Sequence, residues 1–209
     1  MKLIGLTQRV EVVASYGERR DCLDQNWATL LTQLGYCPVP LSSNVKDVDR
    51  YVATLGLDGV ILTGGNDLQI TGSDSASPER DRFEHRILDV CVDRKLPVLG
   101  VCRGFQMMNV HYGGSISAVD HHVGRRHNVN LRDDFSFGQP PSPDVNSFHD
   151  YGIIISDLSN ELSAAGWVED GTIEAASHKK HPQLGIMWHP EREPSFSQRD
   201  KEMIRAVFE

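Results

Sequence analysis

The chain has 209 residues, 39% hydrophobic and 24% charged, and its formal net charge is −8. That length suits one domain with a substantial core, here taken as 1–209, and the composition excludes a disordered chain. The acidic balance argues against general nucleic-acid binding, and no apolar run approaches the roughly 20 residues of a membrane helix.

In chain order, "KLIGLT" (2–7) reads as a short apolar strand. Residues 21–35 carry Leu23, Trp27, Leu30, Leu31 and Leu34 at helical spacing, with Gly35 as a stop. "YCPVPL" (36–41) is extended. Residues 44–56 read as a helix from an Asn44 cap to Gly56. "DGVILTGG" (58–65) is a buried strand running into two glycines. Residues 77–96 form a helix with Pro78 in its first turn, "PVLGVC" (97–102) is a second buried strand, and residues 103–113 form a helix. Residues 121–150 are polar and turn-rich, with loops and short strands. Residues 166–178 read as a hairpin turning at Asp170-Gly171, "LGIMWHPERE" (184–193) as a strand entering a loop, and 197–208 as an amphipathic helix. Alternating helices and continuous apolar strands predict an α/β fold: a flavodoxin-like open parallel sheet, helices on both faces, and a small antiparallel extension. Specificity is expected in the loops 8–20, 66–78 and 121–148.

Cys22, Cys37, Cys91 and Cys102 show no CxxC spacing, and "MKLIGLTQRV" is too short for a signal peptide. A cytoplasmic protein with free thiols is expected. Cys102 stands apart, in "GVCRGF" (100–105). A buried strand, a G-x-Cys-x-G turn and a helix form the nucleophile-elbow pattern, which exposes the side chain at the carboxyl edge of the sheet. Taken alone, the motif also fits a small buried cysteine whose glycines only pack strand on helix. A cysteine nucleophile needs a base and a group that orients the base. His189 ends an apolar strand, and Glu191 follows two residues on. Seen alone, His-Pro-Glu also fits a surface loop.

Together, "GVCRGFQ", "WHPE" and "ILTGGND" (61–67) resemble the class I glutamine amidotransferase family, and "RDRFE" (80–84) resembles its γ-glutamyl hydrolase, or peptidase C26-like, branch. The resemblance implies a Cys-His-Glu triad of Cys102 as nucleophile, His189 as base and later acid, and Glu191 as its orienter. It implies an oxyanion hole from the amides of Gly65 and Arg103. It places Gly64, Gln106, Ser147 and His149 at the glutamyl group, the last two through "VNSFHD" (145–150). Gln106 also fits an exposed polar helix position, and Ser147 a turn cap. The Arg103 side chain fits either an anionic substrate or an exposed ion pair. His121, His122 and His127 invite a zinc reading, but four ligands are not found close by and no metal is expected. Arg125 and Arg126 fit phosphate contacts or solvated surface charge.

The implied reaction releases glutamate from a small-molecule γ-glutamyl amide through a thioester, without cofactor. The chain holds no P-loop motif and no room for a fused synthetase. That leaves a free-standing hydrolase, a glutaminase subunit serving a separate synthetase, or a non-catalytic metabolite sensor. The carboxyl-terminal segment resembles the γ-glutamyl-CDP-amidate hydrolases, which implies a nucleotide-linked substrate of capsule or surface-polysaccharide modification. Hydrolysis of γ-glutamyl-GABA-like amides is the neighbouring possibility.

Overall fold

A computed structural model describes residues 1–135 and 142–209. From the amino end it places β1 (Leu3–Leu6), β2 (Arg9–Val13), β3 (Glu18–Cys22), α1 (Gln25–Gln33), β4 (Cys37–Pro40), α2 (Val48–Leu55), β5 (Gly59–Leu62), α3 (Pro78–Arg94), β6 (Val98–Val101) and α4 (Arg103–His111). The second half holds β7 (Ser117–Ala118), β8 (Val123–Asn128), β9 (Asn130–Leu131), β10 (Asp144–Phe148), β11 (Tyr151–Gly152), β12 (Leu162–Trp167), β13 (Ile173–His178), β14 (Gln183–Ile186) and α5 (Gln198–Phe208).

The main sheet runs β4-β1-β5-β6-β14-β13-β12-β9. Its first five strands are parallel, in the flavodoxin-like order, and the last three add an antiparallel flank. The central strands "GVIL" and "VLGV" are buried at every residue, because helices cover both faces. On one face Trp27, Leu30 and Leu31 of α1 join Met203, Ile204 and Phe208 of α5. On the other, α2, α3 and α4 contribute Val52, Phe83, Ile87 and Met108. Truncating a core aromatic such as Phe208 would cost about 3–5 kcal/mol. Among the described residues, no helix is long and apolar enough to cross a membrane.

Three expected elements differ in detail. The helix expected from residue 21 starts at Gln25, because 18–22 pair with β2 and Asp24 caps the helix by accepting from the Asn26 amide at 2.9 Å. Residues 9–22 are therefore a hairpin and not a plain loop. Asp47, not Asn44, caps α2, accepting from the Arg50 amide at 3.0 Å. Within 121–150, β8 and β10 form a separate two-stranded ribbon, while residues 136–141 of that expected loop region lie outside the described residues.

Candidate active site

Three neighbouring parallel strands, β5, β6 and β14, end at the same edge, and the segments after them carry Gly64 and Gly65, Cys102 and His189. Cys102 caps α4 with φ 53° and ψ −109°, a left-handed conformation that costs a side-chain-bearing residue about 1–3 kcal/mol. Its surroundings impose that conformation. The Cys102 amide donates to the Ile186 carbonyl of β14 at 2.7 Å. A Cβ on Gly104 would lie 2.0 Å from the Leu62 carbonyl oxygen, so only glycine lets α4 press against β5. The elbow thus holds the thiol at the amino end of α4, whose dipole favours an anion.

His189 is buried, and its Nδ1 lies 2.7 Å from Glu191 Oε1. A carboxylate can only accept, so Nδ1 carries the proton and Nε2 is left for the cysteine. Nε2 is buried without a closed hydrogen bond, and the Cys102 sulfur acts on it. Burial pushes the Cys102 thiol up, but the charge and hydrogen bond of His189 together with the charges of His149 and Arg192 outweigh it, and the net pKa falls below the usual thiol value. Burial lowers the His189 imidazole, but Glu191 and Cys102 overcome it and hold the ring at about 9. These opposed shifts favour a thiolate–imidazolium pair. Cys91 makes the contrast: burial alone drives its thiol up to about 12.

The glycine loop faces this pair. A Cβ on Gly64 would come within 2.7 Å of His189 Cε1, so the loop can lie against the imidazole only without a side chain there. Gly65 and Arg103 line a cavity of about 300 Å³ together with Cys102 and His189. Arg103 supplies the first amide of α4, a position for which the helix itself offers no acceptor.

Beneath the loop lies an ion-pair network that sequence reasoning did not find. Arg80 of α3 is fully buried and donates to the carbonyls of Thr63 (2.6 Å), Gly64 (3.1 Å) and Gly65, and through Nε to Glu84 at 2.8 Å. These bonds turn the loop's carbonyls toward α3. The Arg103 guanidinium joins the network, paired with Asp81 and Glu84. It is therefore neither a substrate contact nor an exposed ion pair, as the sequence alone had allowed, because two buried carboxylates already hold it.

The remaining candidates divide. Gln106 is buried rather than exposed: it lines the cavity and its Nε2 donates to the Tyr151 carbonyl at 2.7 Å. His149 lines the cavity too, with Nδ1 3.0 Å from the same carbonyl. Ser147 is fully buried and is not among the residues lining the cavity; its hydroxyl donates to the His122 carbonyl at 2.6 Å. Arg126 pairs with Asp144 and Glu193, and Arg125 is exposed on β8. Besides Arg103, the cavity wall carries Arg9 and Arg192, which also border a second depression beside Gly64. Asn146, passed over in the sequence, clamps the base: its Oδ1 accepts from the His189 amide and its Nδ2 donates to the His189 carbonyl, both at 2.9 Å. Its place in "VNSFHD" was the available signal. His122, His127 and Glu174 converge near His149, whereas His121 is exposed.

An elbow cysteine, a strand-end histidine with its carboxylate and a facing glycine loop, on a sheet of this order, define the glutamine amidotransferase-like class of α/β proteins. A glutamine amidotransferase structure from Thermotoga maritima matches 98% of this chain and 81% of its own with a TM-score of 0.68, at 17% identity. The chain belongs to the Peptidase C26 family, whose model matches residues 2–191. It is 35% identical over 193 residues to the γ-glutamyl-CDP-amidate hydrolase of Campylobacter jejuni, covering 91% of this chain and 90% of that protein. It is 26% identical over 206 residues to the γ-glutamyl-γ-aminobutyrate hydrolase of Escherichia coli O157:H7, covering 84% and 80%.

Proposed function

We propose that this protein hydrolyses γ-glutamyl amides of small molecules through Cys102, with His189 and Glu191 completing the triad. The observation that carries this reading is the opposed electrostatics of one buried pair. The Cys102 thiol lies below its ordinary value and the His189 imidazole at about 9, with Glu191 2.7 Å from Nδ1. The thiolate attacks the γ-carbonyl carbon, and the resulting oxyanion takes hydrogen bonds from the Gly65 and Arg103 amides. Such donors are worth about 3–4 kcal/mol each in related chemistry. As the tetrahedral species collapses, the C–N bond breaks and His189 gives its proton to the leaving amine. A γ-glutamyl thioester remains. His189, now neutral, takes a proton from water, which attacks the thioester and releases glutamate and the thiolate.

The substrate we favour is a γ-glutamyl amide linked to a nucleotide, as in γ-glutamyl-CDP-amidate. The likeness to the Campylobacter enzyme supports it, and so do Arg9 and Arg192 on the wall beside Cys102, where a diphosphate would meet two guanidinium groups. The test is glutamate release by the full chain from γ-glutamyl-CDP-amidate, γ-glutamyl-γ-aminobutyrate and glutamine. The account expects the highest kcat/KM on the nucleotide substrate. Equal rates on all three would overturn the substrate assignment, and release that survives Cys102→Ala would overturn the reaction.

A further inference from the structure

On the far side of His149 from the catalytic cysteine lies a second cluster that the hydrolysis does not use. Glu174 of β13 is fully buried, and three imidazoles face its carboxylate. His122 Nδ1 is 3.6 Å from Oε1, His149 Nε2 is 3.5 Å from Oε1, and His127 Nε2 is 3.4 Å from Oε2. These separations exceed the 2.7–3.2 Å of an N–H···O hydrogen bond. All five atoms are buried and none has a hydrogen-bond partner.

The outer nitrogens say which form the rings take. His122 Nε2 lies 2.9 Å from Asp170 Oδ2, and His149 Nδ1 lies 3.0 Å from the Tyr151 carbonyl oxygen. The Asp170 carboxylate and the Tyr151 carbonyl oxygen are the acceptors in these two contacts. Each outer nitrogen therefore carries the proton, so the inner nitrogen facing Glu174 either holds a second proton or presents a lone pair to a bound cation. A carboxylate facing lone pairs in a buried pocket is repulsive unless a cation lies between them. A histidine that donates its other N–H to a carboxylate or a carbonyl is also the usual arrangement around a bound metal.

We propose that His122, His127, His149 and Glu174 bind one zinc ion. Two ligands about 2.0–2.1 Å from a tetrahedral zinc stand about 3.4 Å apart, and the separations of the three imidazoles from the nearer Glu174 oxygen, 3.4–3.6 Å, are close to that edge. The coordinating atoms of His122, His127 and Glu174 all lie within 4.8 Å of one another. His149 Nε2 stands outside that group of three but 3.5 Å from Glu174 Oε1, and a small shift of its ring brings it in as the fourth ligand. Three imidazoles and one carboxylate suit zinc, whereas magnesium and calcium call for oxygen ligands. A cavity of about 490 Å³, bordered by His122, His127 and Asp170, gives the ion a way in. Four protein ligands close the coordination shell, so the ion is structural. It ties β8 and β13 to the His149 wall of the catalytic cavity, a role independent of whether the cavity hydrolyses amides.

The sequence raised zinc at His121, His122 and His127 but could not complete the set, because His122 and His127 supply only two of these ligands locally. Glu174 arrives through β13 and His149 through the end of β10, while the nearer His121 turns out to solvent.

The test is zinc binding by the full chain after chelation and dialysis, read by elemental mass spectrometry and by competition with a chromogenic chelator. Expected is about one zinc per chain in a closed tetrahedral site. Glu174→Gln and His127→Ala should each weaken binding by about tenfold or more. Zinc should raise the Tm of the wild type and not of the variants, and cobalt should give intense tetrahedral absorption only in the wild type. His127 is the least buried ligand, so its variant carries the test if Glu174→Gln fails to fold. Uptake below about a tenth of an equivalent, or unchanged affinity in the folded variants, would overturn the proposal in favour of a cluster held by protons alone.

Discussion

Replacing Arg103 with methionine separates two roles that the motif leaves entangled. The backbone amide at 103 survives the change, and only the guanidinium is lost. That group is buried and paired with Asp81 and Glu84, while Arg80 supplies the network's other positive charge. Two cations and two carboxylates become one cation and two carboxylates. Breaking a buried pair from one side costs about 3–5 kcal/mol. For a chain of this length, about 2–4 °C of Tm goes with each kcal/mol, so Arg103→Met should melt about 6–20 °C below the wild type. The pH dependence has a definite sign. Burial alone would raise Glu84, but Arg103 and Arg80 hold its carboxyl below the ordinary value of 4.5. A depressed carboxyl stabilises the fold above its unfolded value and stops doing so as pH falls through the folded one. The Tm gap should therefore be full at neutral pH and narrow below about 4.5. Thermal unfolding followed by circular dichroism across pH reads this directly. A Tm loss under about 2 °C together with a raised KM would refute the reasoning and return Arg103 to the substrate.

Other outcomes follow from the same geometry. With His189 held at about 9, kcat/KM should fall as pH rises through that value, because the imidazolium proton needed by the leaving amine is lost. Glu191→Gln removes the charge that raises the ring, so this alkaline limb should move to lower pH, and kcat should drop about 10³–10⁴-fold, read in a pH–rate profile. Gly64→Ala sets a methyl 2.7 Å from His189 Cε1 and should cost about 100-fold in kcat with little change in Tm. Iodoacetamide at neutral pH should alkylate Cys102 well before Cys91, whose thiol stands near 12, as peptide mapping would record.

The fold was legible where physics is local. Continuous apolar runs such as "GVIL" and "VLGV" announce strands covered on both faces, and the helical spacing of Trp27, Leu30 and Leu31 survives in α1. The β2–β3 hairpin was hidden because its strands are mostly charged and exposed, held by each other and by Asn66, whose Oδ1 accepts from the Val10 amide at 2.8 Å. At the site, the elbow glycines and the His-Pro-Glu segment are compact motifs, so Cys102, His189 and Glu191 could be named in advance and the fold brings them together. Arg80, Asn146 and the destination of the Arg103 guanidinium could not be read. Each depends on which distant carbonyl or carboxylate the packed sheet delivers to it, and spacing along the chain carries no trace of that.

The claim that Cys102 is the nucleophile is tested most directly by trapping its acyl form. The full chain is mixed with a γ-glutamyl amide, quenched in acid during steady turnover, digested and analysed by mass spectrometry. The account predicts a glutamyl adduct on the peptide containing Cys102, absent from Cys102→Ala, which should also release no glutamate. Glutamate release that continues in Cys102→Ala, with no adduct on the wild-type Cys102 peptide, would contradict it.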